Sequence, residues 1–252
     1  MTISLQGQTI VVTGGAKRLG RAIALECAKS GANVVITYRS SAEEARQTVL
    51  ELESVAPEAR FAAFALEVCD GSAVQAFADE ILETFPNVSG LVNNAAIFQR
   101  TPFQTLTETD FDDHINANLK GPFLLSKAFG DHFLHFLQHG GSIVNIADIY
   151  GSRPLANYVP YCVSKAGLIM LTQTLAKALA PRVRVNCLCP GTILLPSETQ
   201  GEADDEAELL KRIPFGRLGK TEEIAQTAVF LLGGPAFVTG AVVPVDGGQS
   251  LR

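Results

Sequence analysis

The chain has 252 residues, of which 47% are hydrophobic and 18% are charged, and this composition excludes intrinsic disorder. Its formal net charge of −6 argues against a nucleic-acid-binding function, because such proteins carry an excess of basic residues. No apolar stretch is long enough to span a membrane, and residues 1–8 lack the features of a secretory signal. We therefore expect a cytoplasmic protein that contacts neither nucleic acid nor membrane.

Apolar runs alternate with stretches of helical periodicity along the chain, and several runs are apolar throughout. Such runs are typical of strands buried on both faces of a parallel sheet. The pattern predicts an α/β fold, a single-domain Rossmann-like doubly wound parallel sheet with helices on both faces. The predicted strands cover residues 9–12, 33–38, 60–68, 90–95, 142–147, 183–189 and 241–245. The predicted helices cover residues 19–30, 42–54, 72–85, 123–137, 165–179 and 221–232.

The five cysteines are scattered, which suits a reducing compartment. Cys187 and Cys189 share one face of a predicted strand, and we interpret them as small buried side chains rather than as half of a metal site. His132, His135 and His139 follow one another near a predicted helix end, where the helix dipole favours them. We predict no bound metal.

A glycine-rich turn directly follows the first predicted strand. Its sequence, TGGAKRLG over residues 13–20, lets the backbone approach a pyrophosphate at the start of a helix. We expect Gly14, Lys17, Arg18 and Leu19 to hold a dinucleotide there.

The second predicted strand ends in Tyr38, Arg39, Ser40 and Ser41, without the acidic residue that usually binds the ribose of NAD. Arginine and two hydroxyl groups suit a phosphate instead, so we expect NADPH as the cofactor. The alternative is that Arg39 is a solvated surface residue.

Tyr161 and Lys165 are four residues apart, and at that spacing both lie on one face of a helix. A nearby ammonium group stabilises a phenolate, so we expect the pKa of Tyr161 to lie below its usual value and its hydroxyl to act as a proton donor.

In this context the chain resembles the short-chain dehydrogenase/reductase family over essentially its whole length. The matching motifs are TGGAKRLG (13–20), NNAA (93–96), NANLKG (116–121), YCVSK (161–165), PG (190–191) and VDGG (245–248). The resemblance implies that Tyr161 is the catalytic acid, that Lys165 assists it and binds the nicotinamide ribose, and that Asn118 holds a water for proton relay. It also implies a homotetramer. The other residues expected at the cofactor are Tyr161 itself, Glu67, Val68, Asn94, Ala95, Pro190, Gly191 and Ile193.

Two positions depart from the usual family pattern. Arg18 stands where the family has a third glycine, and Asp148 stands where it has a catalytic serine. Both replacements resemble the pteridine reductase branch, in which an aromatic residue at the position of Phe98 covers the pterin and a tyrosine at the position of Tyr158 contacts it. Ala96 departs from that branch, which often has a serine there.

The chemistry of these replacements favours reduction of a C=N bond. An ionised Asp148 repels the negative oxygen that forms during ketone reduction, whereas it favours a protonated ring nitrogen. Phe98 offers a flat face to a bicyclic ring, and Arg18 suits the polar edge of a pterin. The alternatives are that Asp148 only caps a backbone turn, that Phe98 only lines the pocket and that Arg18 binds only cofactor.

Three functions therefore compete. The first is an NADPH-dependent pteridine reductase that converts a dihydropterin or oxidised pterin to a tetrahydropterin. The second is an NADPH-dependent carbonyl reductase, such as a 3-oxoacyl-thioester reductase, and the third is a non-catalytic NADP-binding sensor. Residues 1–252 form one domain in this interpretation. The acidic stretch 197–208 is either a solvated segment or part of a substrate lid around residues 192–213.

Overall fold

A seven-stranded sheet forms the centre of the computed structural model, which describes residues 3–138, 140–193 and 206–251. All neighbouring strands are parallel, in the order β3-β2-β1-β4-β5-β6-β7. The strands are β1 (Thr9–Val12), β2 (Asn33–Tyr38), β3 (Phe61–Ala65), β4 (Val88–Asn93), β5 (Gly141–Ile146), β6 (Val183–Pro190) and β7 (Val242–Val245). This confirms the predicted doubly wound fold.

Helices cover both faces of the sheet. They are α1 (Arg18–Lys29), α2 (Ala42–Val55), α3 (Gly71–Thr84), α4 (Glu108–Ile115), α5 (Gly121–His135), α6 (Val159–Ala178), α7 (Glu206–Lys211) and α8 (Thr221–Gly233). A π-helical turn, Asn116–Lys120, joins α4 to α5. Short 3₁₀ turns occupy Ile149–Gly151 and Gln249–Leu251.

Two hydrophobic cores lie on opposite faces of the sheet, because successive strand residues point to opposite sides. Ile10 and Val12 of β1 belong to the core that also contains α1 and α8 residues. Val11 of the same strand belongs to the core around Phe129 and Phe133 of α5. Burial on both faces explains why these strands are apolar throughout.

Three predicted elements need correction. The strand expected over 60–68 ends at Ala65, because Asp70 accepts hydrogen bonds from the backbone N–H groups of Ser72 and Ala73 and starts α3. The strand expected over 90–95 covers 88–93, and the helix expected from residue 165 begins at Val159. Pro160 suits that first turn, where its missing N–H costs nothing.

Three further helical elements were not predicted. Helix α4 and the π-helical turn lie between residues 108 and 120, where the sequence prediction had no element. Part of the acidic stretch expected to be loop-like is helical, since α7 begins at Glu206. The rest of the predicted lid, residues 194–205, lies outside the described residues.

Several expectations concern metals, cysteines and membranes. Cys187 and Cys189 are buried with their sulfur atoms 3.8 Å apart, as their shared strand face predicted. In the part of the chain that the structure describes, which omits His139, no group of three histidine, cysteine or acidic side chains could hold a metal. Within these same residues, no helix has the length and apolar character needed to cross a membrane.

Candidate active site

The predicted site residues gather at the carboxyl ends of the strands. The strand order reverses between β1 and β4, and α/β sheets bind their ligands in the crevice at such a reversal. Thr13 joins the two strand ends, because its hydroxyl oxygen accepts hydrogen bonds from the N–H groups of Asn94 and Ala95 at 2.9 and 3.0 Å. The sequence analysis missed this role, although Thr13 directly precedes the glycine turn.

In the glycine turn, the backbone at Gly20 lies so close to the backbone at Gly14 that a side chain at Gly20 could not fit. Gly14 has a φ of +63°, and a Cβ added at Gly20 would lie 2.1 Å from the Gly14 carbonyl oxygen. Helix α1 begins at Arg18 without a side-chain cap or an acidic residue in its first turn. Its first N–H groups therefore suit an anion such as a phosphate.

Arg18 has a φ of +52°, in the left-handed region that favours glycine. It occupies the position at which the resemblance implies a glycine. A non-glycine residue in this conformation costs roughly 1 kcal/mol. Such strain is common at functional sites, and it sets Arg18 apart from an ordinary helix residue.

A cavity of about 330 Å³ opens beside this turn. The residues expected to bind the cofactor that line it are Gly14, Lys17, Arg18, Leu19, Tyr38, Arg39, Ser40, Ser41, Glu67, Val68, Asn94 and Ala95. The cavity therefore joins the glycine turn to the cationic end of β2. A dinucleotide with an additional phosphate on its ribose requires such a connection.

The remaining cofactor candidates lie away from this lining. Pro190 ends β6, and Gly191 and Ile193 follow it. The Gly191 N–H donates a hydrogen bond of 3.1 Å to the carbonyl of Val245, which holds this segment at the same edge of the sheet.

Tyr161 and Asp148 form a close pair. The Tyr161 hydroxyl donates a hydrogen bond of 2.7 Å to Asp148 Oδ2, and Asp148 Oδ1 accepts from the Tyr150 N–H at 2.8 Å. Asp148 thus also caps a backbone turn, which was the alternative considered from the sequence. Both of its oxygens are engaged, one by the turn and one by the predicted acid.

The expectation of a lowered Tyr161 pKa is wrong for this structure. Tyr161 is only 5% exposed, and burial together with the Asp148 carboxylate raises its pKa well above the usual value. Burial likewise raises the pKa of Asp148, against the opposing effects of its hydrogen bonds and Lys165. Burial therefore makes both groups weaker acids than they are in water.

Lys165 makes no hydrogen bond to the Tyr161 hydroxyl among the described residues. Its ammonium group donates a 2.8 Å hydrogen bond to the carbonyl of Ile146 and lies 5.7 Å from the centre of the Tyr161 ring. Burial lowers the pKa of Lys165, and the Asp148 charge opposes this shift. Sequence spacing placed both residues on one helix face, but it could not show which carbonyl binds the ammonium.

Asn118 lies in the π-helical turn and is fully buried. Its side chain accepts from the Ile97 N–H at 2.8 Å and donates to the Ile97 carbonyl and to Ser164 Oγ, both at 3.0 Å. Asn118 therefore anchors the segment that carries Phe98. Its expected part in a proton relay stays a prediction, and Ser164 is a supporting residue that the sequence analysis missed.

The Tyr161 ring belongs to a group of three aromatic rings in contact, together with Phe98 and Tyr158. Phe98 and Tyr158 stack with their centroids 4.6 Å apart and an interplanar angle of 11°. Phe98 also packs at 76° to Tyr161, with the same centroid distance. Phe98 remains 43% exposed, so the site has a flat apolar wall open to solvent.

Comparison with known proteins identifies the family. The family model described as Enoyl-(Acyl carrier protein) reductase matches residues 8–250. The 3beta-hydroxysteroid dehydrogenase 1 of Eggerthella lenta is 37% identical over 251 residues, covering 98% of this chain and 95% of that protein. The 3-oxoacyl-acyl-carrier-protein reductase FabG of Thermotoga maritima is 35% identical over 246 residues, covering 97% and 98%.

Solved structures agree with this assignment. A short-chain dehydrogenase from Burkholderia cenocepacia in complex with NADP has a TM-score of 0.88 and 34% identity, covering 97% of this chain and 98% of that one. A dehydrogenase/reductase from Sinorhizobium meliloti has a TM-score of 0.88 and 33% identity, covering 98% and 97%. The chain belongs to the short-chain dehydrogenase/reductase family, and it is an oxidoreductase.

Proposed function

We propose that this oxidoreductase is an NADPH-dependent pteridine reductase, which reduces a C=N bond of a dihydropterin or oxidised pterin to give a tetrahydropterin. The observation that carries the proposal is the 2.7 Å hydrogen bond from Tyr161 to Asp148, at the position where the family resemblance implies a serine.

The cofactor proposal rests on the cavity beside the glycine turn. Backbone N–H groups at the start of α1 suit the pyrophosphate, and Arg39 with Ser40 and Ser41 suits a ribose phosphate. The NADP-bound Burkholderia structure, at 34% identity, supports the same choice. When bound, the nicotinamide supplies the hydride.

The proton is the contribution of the chain itself. Because burial raises the pKa of Tyr161, its hydroxyl keeps a proton that it can pass to a ring nitrogen as the adjacent carbon receives hydride. The Lys165 ammonium, buried nearby, stabilises the negative charge that the pair then carries. A carboxylate is poorly suited to a developing alkoxide, since like charges repel.

The aromatic wall fits a flat substrate. Phe98 and Tyr158 already stack, so a bicyclic ring can stack on the partly exposed Phe98 ring in place of Tyr158. Tyr161 packs against the same Phe98 ring, which keeps its hydroxyl group near such a substrate.

A carbonyl reductase acting on 3-oxoacyl thioesters is the second candidate. It is favoured by the FabG relatives, which are 33% to 35% identical over nearly the whole chain and are named for that reaction. The Tyr161, Lys165 and Asn118 set is compatible with either substrate. The difference between the two candidates therefore depends on Asp148 and the aromatic wall.

Parallel assays of NADPH oxidation with a dihydropterin and with a 3-oxoacyl thioester distinguish the candidates. We expect turnover of the dihydropterin, and we expect Asp148→Ser to abolish it while Phe103→Ala, at a side chain 75% exposed, leaves it unchanged. Turnover of the thioester alone, improved by Asp148→Ser, would establish the carbonyl reductase instead. NADPH binding without turnover of either compound would favour a sensor.

A further inference from the structure

The C-terminal turn folds back onto the end of β6 through one glutamine. Gln249 is 6% exposed, and both ends of its amide contact Thr192. Its Oε1 accepts from the Thr192 N–H at 2.9 Å, and its Nε2 donates to the Thr192 hydroxyl at 3.1 Å. A buried amide whose oxygen and nitrogen both form hydrogen bonds with one residue fixes that residue in position and orientation.

The backbone of Gln249 reaches the opposite side of the site. Its carbonyl accepts a hydrogen bond of 3.1 Å from Arg153 Nη1. Arg153 belongs to the segment that begins at Asp148, since its own N–H donates to the carbonyl of Ile149. Gln249 therefore connects the segment after β6 with the segment that begins at Asp148, the hydrogen-bond acceptor of the Tyr161 hydroxyl.

The segment after β6 has little room to shift. A Cβ added at Gly191 would lie 2.8 Å from Gln249 Oε1 and 2.7 Å from the Cβ of Asp246. The Thr192 carbonyl also accepts from the Gly219 N–H at 3.1 Å. The C-terminal turn thus packs directly against the backbone that follows Pro190.

We propose that Gln249 is a positioning residue for the expected cofactor-binding segment after β6, acting through Thr192 on one side and Arg153 on the other. The inference rests on the nicotinamide-cofactor part of the proposed function and is independent of the substrate. Pro190, Gly191 and Ile193 are cofactor candidates that lie outside the main cavity, and the contacts of Gln249 hold this same segment in place.

The test replaces Gln249 by leucine, which has a similar size and makes neither hydrogen bond. We expect Gln249→Leu to raise the dissociation constant of NADPH about tenfold, because two hydrogen bonds of ordinary strength are lost. Binding is measured from the fluorescence of NADPH, without any substrate. Ser250→Ala is the matched control in the same turn, and we expect it to bind NADPH like the unmodified protein.

Thr192→Val and Thr192→Ser separate positioning from a general loss of stability. The valine variant removes only the hydroxyl contact, so we expect about a threefold weaker binding, and the serine variant restores it. We also expect Gln249→Leu combined with Thr192→Val to bind no more weakly than Gln249→Leu alone. If Gln249→Leu fails to fold, the two threonine variants carry the test.

The proposal is overturned if Gln249→Leu lowers the melting temperature but binds NADPH with unchanged affinity. Equal weakening in Ser250→Ala would overturn it as well, since the effect would then belong to the whole turn. Binding of neither NADPH nor NADH by the unmodified, folded protein would overturn both this proposal and the cofactor assignment. Failure of the pterin assay alone leaves these binding measurements unaffected.

Discussion

Asp148→Asn should make the protein more stable at neutral pH while removing its activity. The change keeps the shape of the side chain, its acceptor for the Tyr150 N–H and a polar atom beside the Tyr161 hydroxyl. It removes the charge and replaces the oxygen that accepts from the Tyr161 hydroxyl by an NH₂ group, which can donate to the Tyr161 oxygen instead. Because loss of hydration is the largest influence on the Asp148 carboxyl and raises its pKa, the charged form is the unfavourable one in the folded protein.

The size of the effect follows from opposing contributions. Replacing a buried charge by a neutral group of the same shape stabilises proteins by roughly 1–4 kcal/mol. Asp148 is partly buried and retains two hydrogen bonds and the nearby Lys165, so we expect the lower end, about 1 kcal/mol. In a chain of this length that corresponds to an increase in melting temperature of about 2–4 °C.

The pH dependence identifies the cause. The folded protein binds the Asp148 proton more tightly than the unfolded chain, whose carboxyl has its ordinary pKa of 3.8. The difference in pKa therefore adds to the free energy of unfolding. This contribution is fully present below pH 3.8 and is lost as the pH rises through the higher pKa of Asp148 in the folded protein.

We therefore expect the melting temperatures of the unmodified protein and of Asp148→Asn, recorded by circular dichroism over a series of buffers, to diverge as the pH rises. Above the folded pKa of Asp148 the difference between them should stay constant. A stability difference that stays constant over the whole series, or a less stable Asp148→Asn protein, would refute the reasoning. Dihydropterin turnover measured on the same samples should be lost in the variant.

Three further outcomes are expected. Arg18→Gly should change the melting temperature by less than about 2 °C, because relief of the left-handed strain offsets the added freedom of the unfolded chain. The same variant should raise the KM of the pterin or of NADPH at least tenfold. Arg39→Ala should raise the KM for NADPH about tenfold to a hundredfold and leave that for NADH nearly unchanged; equal effects on both cofactors would contradict the assigned role. Phe98→Ala should raise the KM of the dihydropterin more than it lowers kcat, and Phe103→Ala serves as the exposed aromatic control in steady-state assays.

The sheet was predictable because its strands are buried on both faces. β1 and β2 have the predicted bounds, and each is a nearly continuous apolar run. Helix α4 was missed because its sequence, ETDFDDHI, has no apolar stripe and buries only His114. Its start was nevertheless readable, since Thr107 and Asp110 cap it reciprocally.

The members of the candidate site were predictable, but their interactions were not. Spacing placed Tyr161 and Lys165 on one helix face and motif order placed Asp148 nearby, as the structure shows. The direction of the Tyr161 pKa shift depends on burial and on the specific partner that its hydroxyl meets. Both follow from tertiary packing, as does the meeting of Gln249 and Thr192 from distant parts of the chain.

Helix α6 carries Tyr161, Ser164 and Lys165 within its first two turns, so a single rigid body sets their relative positions. Phe98, by contrast, comes from a connecting segment outside the regular elements. Under the proposed function, proton transfer and substrate choice therefore depend on separable parts of the chain. We expect that exchanging the connecting segment between relatives changes the preferred substrate and leaves Tyr161 and its helix unaltered, and rational redesign can begin there.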